Sequence, residues 1–185
     1  MMTMSVIRIV LLCMLMMVAS RSWADTYDPL LLRAQASIFP KIILLDQGLS
    51  RKSPGDEVIL NIVSISRDLH VAKQLKELIS EKYGGRLGNR KLTVNITLFD
   101  DLDEQSLATA YIILHGPESS IKKVVNYASG HERIVFGYSL SSFIYDSLVS
   151  VYVKEKTYVY LNKLAVQRYG IRFMPVFYKI TKIIE

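Results

Sequence analysis

The chain has 185 residues, half of them hydrophobic, with 23 Lys and Arg against 17 Asp and Glu for a net charge of +6, and one cysteine. That length makes one domain that buries roughly 70% of the surface its unfolded form exposes, so no disulfide staple is required. The modest basic excess suits a soluble surface and argues against a nucleic-acid-binding module.

Arg8 precedes an uncharged apolar run, residues 9–19, which leads to Ser22-Trp23-Ala24. This reads as a secretory signal peptide over residues 1–24, cleaved after Ala24, with small residues at the two positions a signal peptidase reads. The run falls well short of the roughly 20 residues that span a bilayer core, so no membrane insertion is expected after cleavage. Cys13 follows Val10-Leu11-Leu12 inside the run, which is not the small-residue context of a lipid-attachment cysteine. The remaining domain, residues 25–185, carries 21 bases against 17 acids and no cysteine. It holds together by packing alone in a compartment where disulfides form.

Asp28-Pro29 can cap and open a helix, and residues 30–45 are apolar on nearly every side, as in a buried helix. Pro40 predicts a kink or break at Phe39-Pro40. Residues 48–57, GLSRKSPGDE, form a polar loop. The run Val58-Ile59-Leu60-Asn61-Ile62-Val63 reads as a strand covered on both faces. Leu69, Ala72, Leu75 and Ile79 follow at helical spacing, and Gly84-Gly85 stops that helix.

Leu92, Val94, Ile96 and Leu98 then alternate with polar residues as in a half-buried strand. Tyr111-Ile112-Ile113-Leu114 is a further strand, residues 118–128 a helix with Ile121, Val124 and Val125 on one face, and Ile134-Val135-Phe136 a short strand. Residues 148–153 and 158–161 flank Lys154-Glu155-Lys156 as a hairpin. At the carboxyl end, Val176, Phe177, Ile180, Ile183 and Ile184 make one stripe of a helix over residues 174–184, which predicts a docked helix. The order implies an α/β, three-layer-like sandwich with a mostly parallel sheet, an antiparallel edge hairpin and a C-terminal docked helix.

The segments RIVFGYSLSSF, LVSVYV, TYVYLN and LNKLAVQRYGIRFMPVFYKITKII resemble the end of the YfiR/HmsC-like family. The matching positions are Asn162, Leu164, Gly170, Ile171, Arg172 and Phe173, followed by the terminal helix. The strand start Asn89-Arg90-Lys91-Leu92 also falls in the family's order. The resemblance implies a periplasmic, non-enzymatic regulator that binds the periplasmic region of an inner-membrane signalling protein such as a diguanylate cyclase. The chain departs from the family in two places: residues 41–47 lack its Trp-Pro pair, and the domain lacks the cysteines of redox-tuned members.

Other motifs read plainly. Gly137-Tyr138-Ser139-Leu140-Ser141 lacks the second glycine of a hydrolase elbow, so no catalytic residue is assigned and a serine-capped loop is expected. His70, His115 and His131 have no metal-type spacing. The glycines over residues 84–88 end a helix, the wrong polarity for a phosphate loop. No cofactor motif is present.

Ligands in α/β sheets sit in loops at the carboxyl ends of parallel strands. Here those loops are residues 64–67, 115–118 and 137–139, giving Ser66, Arg67, His115 and Tyr138 as candidate ligand-binding residues. Tyr138, Phe143 and Tyr145 form a candidate aromatic partner surface. Two functions follow: the periplasmic regulator, which leaves a homodimer open, and a periplasmic small-ligand receptor.

Overall fold

The structure is a computed structural model and describes residues 27–103 and 107–185. The predicted signal peptide and its cleavage point lie outside the described residues. The fold is α/β: an eight-stranded sheet carries helices on both faces.

Helix α1 (Pro29–Ile43) opens where the Asp28 side chain accepts from Leu30 N, with Pro at the first turn. It runs through Pro40 without the predicted break. Proline there removes one amide bond only a turn before the helix ends, and Phe39, Ile42 and Ile43 are buried around it, so packing holds the last turn in place. The polar loop that follows winds into a short helix, α2 (Leu49–Lys52).

Strand β1 (Glu57–Ser64) is buried on both faces, with Val58, Leu60, Ile62 and Val63 fully enclosed. Each such side chain is worth roughly 1.5–3 kcal/mol. Helix α3 (Leu69–Tyr83) ends at Gly84, which is left-handed (φ 56°), as the Gly84-Gly85 pair predicts. Strands β2 (Arg86–Leu87) and β3 (Arg90–Leu98) form a tight antiparallel pair at one edge. Next come β4 (Ala110–Ile113), α4 (Glu118–Gly130), β5 (Ile134–Gly137), and the hairpin β6 (Val149–Val153) and β7 (Thr157–Asn162).

The sheet order is β2-β3-β1-β4-β5-β6-β7-β8, with β3, β1, β4, β5 and β6 mutually parallel. After β1 the chain winds through α3 to β3 on one side, then crosses to β4 on the other. The crossing makes the gap between β1 and β4 a topological switch point. Phe39 of α1 stacks on Phe136 at 4.4 Å, and Tyr127 of α4 meets Tyr111 edge-on at 6.3 Å. Phe136 and Tyr111 point to opposite faces, so α1 with its neighbour α3 covers one face and α4 the other.

The carboxyl end differs from the predicted helix over residues 174–184. Helix α5 (Lys163–Arg168), capped by the Asn162 side chain on Ala165 N, leads to a six-residue helix, α6 (Pro175–Ile180). Thr181 is extended, and β8 (Lys182–Ile184) pairs parallel to β7. Only Phe177 of the predicted stripe is buried; Val176, Ile180, Ile183 and Ile184 are exposed. The free edge of β7 offers unpaired backbone groups, and the β-branched Ile183-Ile184 pair with them instead of continuing a helix. The hairpin is therefore one strand in from the edge.

Candidate functional site

At the carboxyl ends of β1, β4 and β5 the predicted loops converge on a cleft of about 430 Å³. It is bounded by Ile65 and Arg67 after β1, by His115 and Gly116 after β4, and by Tyr138, Ser139 and Tyr145 after β5. Arg67, His115 and Tyr138 thus meet although 71 residues separate the first from the last. Ser66 does not line the cleft: a 3-10 turn over Ser66–Asp68 turns it to solvent, where its carbonyl accepts from Leu69 N.

Tyr138 is the best-anchored residue of the site. Its amide donates to Ile113 O (3.0 Å), its carbonyl accepts from Gln35 Nε2 (2.6 Å), and its hydroxyl accepts from Asp28 N (2.8 Å). Burial pushes its phenol above the ordinary value, against the lowering effect of the Asp28 amide bond. It is therefore a neutral phenol with a proton still to donate.

Tyr27, Asp68 and Gln35 complete the arrangement. The Tyr27 hydroxyl donates to Asp68 Oδ2 (2.7 Å) and accepts from His115 N (3.0 Å). Its ring lies 5.0 Å from His115 and 4.7 Å from Tyr138, which are themselves 4.9 Å apart. Such aromatic contacts add about 0.5–1.5 kcal/mol each beyond buried area. Asp68 is buried and also faces Arg67 Nε at 3.4 Å, so it holds both Tyr27 and Arg67 at the rim.

The third wall is a serine net. Ser139 and Ser141 share a hydroxyl bond of 2.6 Å, and Ser142 Oγ donates to Ser139 O (2.6 Å) and meets Ser147 Oγ (2.7 Å). Gly137 permits this, because a Cβ there would fall 1.6 Å from Ser142 Oγ. This is the serine-tied loop expected from the sequence, wound as a 3-10 helix over Leu140–Tyr145.

Of the candidate aromatic surface, Tyr138 is buried, Phe143 and Tyr145 are half-buried, and Tyr145 turns into the cleft. The residue that projects is Ile144, 78% exposed. His70 sits by the Arg67 carbonyl and His131 by that of Tyr127, away from His115. No group of three or more potential metal ligands occurs among the described residues.

The cleft thus combines an apolar lining with a guanidinium, an imidazole, a neutral phenol and the hydroxyls of a hydrogen-bonded serine net, which suits a small ligand with an apolar body and a polar or anionic end.

No known family's sequence model matches the chain, and no curated protein does. Among solved structures, a conserved domain protein from Vibrio cholerae O1 biovar eltor is similar in fold, with a TM-score of 0.56 and 13% identity over 83% of this chain and 60% of that one. The ABC domain from Streptococcus pneumonia, solved in complex with L-Trp, is similar with a TM-score of 0.55 and 10% identity over 83% of this chain and 62% of that one. The chain spans less than two thirds of either structure, and at these identities the likeness is one of fold.

Proposed function

We propose that this protein is a non-enzymatic binding module that takes a small organic ligand in the cleft between β1, β4 and β5. The observation that carries the reading is the convergence of Arg67, His115, Tyr138 and Ser139 at the switch point of a doubly wound sheet. The structure solved with L-Trp supports it as an instance of a similar fold holding a small ligand. Ile65, Ile121 and Tyr145 receive the apolar part, while Arg67 and the hydroxyls of Ser139 and Ser141 receive the polar end.

Thermal-shift screening against amino acids, nucleotides and sugars tests the proposal, because a ligand that binds only the folded state raises the melting temperature by mass action. A hit whose effect disappears in Arg67→Ala is the expected result. Flat melting curves across all three classes count against a ligand in this cleft.

A second reading makes the protein a periplasmic regulator of an inner-membrane signalling protein. Its sequence support is the resemblance of residues 133–185 to the YfiR/HmsC-like family. Its structural support is the exposed apolar set Met174, Val176, Ile180 and Ile183 at the carboxyl end, a surface of the kind protein partners cover. The two readings combine if ligand occupancy changes affinity for the partner. Pull-down from solubilised membranes should recover an integral sensor protein, and Ile180→Asp should abolish recovery while leaving ligand binding intact.

A further inference from the structure

We propose that a second cleft, at the opposite ends of the strands, binds a small dianion of the phosphate type. It goes beyond the ligand cleft described above and shares no residue with it. The segments that precede β1 and β5, together with the turn at Arg172, enclose about 400 Å³ lined by Asp46, Gly48, Arg51, Lys52, Glu132 and Arg172. Three cations face two carboxylates there.

Lys52 is the central group. Its side chain is only 5% exposed, yet it donates one hydrogen bond among the described residues, to Asp46 Oδ2 at 2.7 Å. An ammonium has three donors, so two remain for an acceptor in the cleft. Asp46 does not answer them: its other oxygen accepts from Gly48 N at 2.8 Å.

The two arginines are similarly uncommitted. Arg51 Nη2 reaches Glu132 Oε2 only at 3.5 Å, and the Arg172 guanidinium has no partner among the described residues. The backbone of Arg172 is fixed nonetheless, since its carbonyl accepts from Gln47 N at 2.8 Å and Phe173 bridges to Asp46. Gly48 keeps the cleft open: a Cβ there would meet Lys52 Cε at 3.2 Å, Asp46 Oδ1 at 3.3 Å and Arg51 Nη2 at 3.4 Å.

Behind this layer lies a fourth cation. Arg133 donates from Nη1 to Lys52 O (3.1 Å), while its buried Nε has no partner. Arg51, Lys52, Arg133 and Arg172 therefore exceed Asp46 and Glu132 by two charges in a partly desolvated space. A neutral ligand would leave that excess uncompensated, and a cation would worsen it. Planar guanidinium forks pair with two oxygens of a phosphate and an ammonium serves as a point charge beside them, so the donor set fits phosphate, free or as a monoester.

The test is calorimetric titration of the intact chain with inorganic phosphate, at an ionic strength held constant with sodium chloride. Saturable binding is expected. Arg51→Ala and Arg172→Ala should each weaken it by about tenfold or more, the loss of a charge-assisted hydrogen bond. Both side chains are on the surface, so these variants keep the fold, and circular dichroism checks that they do. Lys76→Ala, an exposed cation elsewhere, should bind as the parent does. Absence of saturable binding beyond chloride overturns the proposal, as does undiminished affinity in both arginine variants. Neither result touches the ligand cleft, whose test uses Arg67.

Discussion

Replacing Gly137 with alanine should disable the ligand cleft without substituting any residue that lines it. The new Cβ would lie 1.6 Å from Ser142 Oγ, 2.5 Å from Ser142 Cβ and 2.9 Å from Ser147 Oγ. No rotation of the Ser142 hydroxyl clears a clash with its own Cβ, so the segment over Leu140–Tyr145 must move away from β5. That move breaks the bonds of Ser142 Oγ to Ser139 O and Ser147 Oγ, each worth about 1 kcal/mol net. Overpacking adds about 1–3 kcal/mol, for a total loss of about 3–5 kcal/mol. In a chain of this size the melting temperature should fall by roughly 6–20 °C. Urea denaturation measures the loss, and titration with whatever ligand the thermal screen identifies measures the displaced Ser139 and Tyr145. Ser142→Gly in the same chain removes both close contacts and should restore the overpacking share, although not the hydroxyl bonds. The double-mutant cycle would thus show coupling of about 3–5 kcal/mol, because the hydroxyl bonds lost in each single variant are lost only once in the double. Parental stability in Gly137→Ala alone would refute the reasoning, because it would mean that Ser142 does not pack against the end of β5.

Phe177→Ala should cost about 3–5 kcal/mol by denaturant unfolding, whereas Val176→Ala beside it should change stability by less than about 0.5 kcal/mol, since only the phenyl ring is buried. Equal effects would restore the docked helix. Asp46→Ala should destabilise by about 3–5 kcal/mol by stranding the Lys52 ammonium, and Asp46→Leu with Lys52→Met should recover most of that loss in the same assay. Alkaline pH gives a further check. Burial raises the phenols of Tyr111 and Tyr169 to about 12, so the fold favours their neutral form while the unfolded chain ionises near the ordinary value of about 10. Their contribution is complete below pH ~10 and is lost as pH rises toward 12, at roughly 1 kcal/mol per pH unit for each phenol. Stability curves of Tyr111→Phe and Tyr169→Phe should be flatter across that interval; unchanged slopes would show that these rings do not govern it.

Much of the candidate site is legible in the sequence, because strand order alone identifies the loops that meet at a switch point. Arg67, His115 and Tyr138 follow from that logic. Ser66 fails it for a local reason: a 3-10 turn rotates each residue by about a third of a circle, so adjacent positions face different ways. Tyr27, Gln35 and Asp68 carried no signal that sequence reading could use. Their hydrogen bonds span 41, 88 and 103 residues, and nothing in a tyrosine before a helix or a glutamine within it announces such partners. The serine-rich loop was recognisable as a loop, but the contact with Gly137 that shapes it was not.

The carboxyl end shows where the boundary lies. Val176, Phe177, Ile180, Ile183 and Ile184 satisfy a helical period, and the same Ile183-Ile184 pair satisfies a strand, so local pattern leaves the two open. What decided was the free edge of β7, whose backbone groups exist only once the sheet has assembled. Sequence by itself determined the elements that the hydrophobic effect specifies over short range: β1, α3 with its glycine stop, α4, and the β6–β7 hairpin. Tertiary structure alone decided the groups that need a distant partner, namely the Tyr27 and Gln35 anchors and the eighth strand, because their hydrogen bonds are satisfied by residues that only the folded chain brings near.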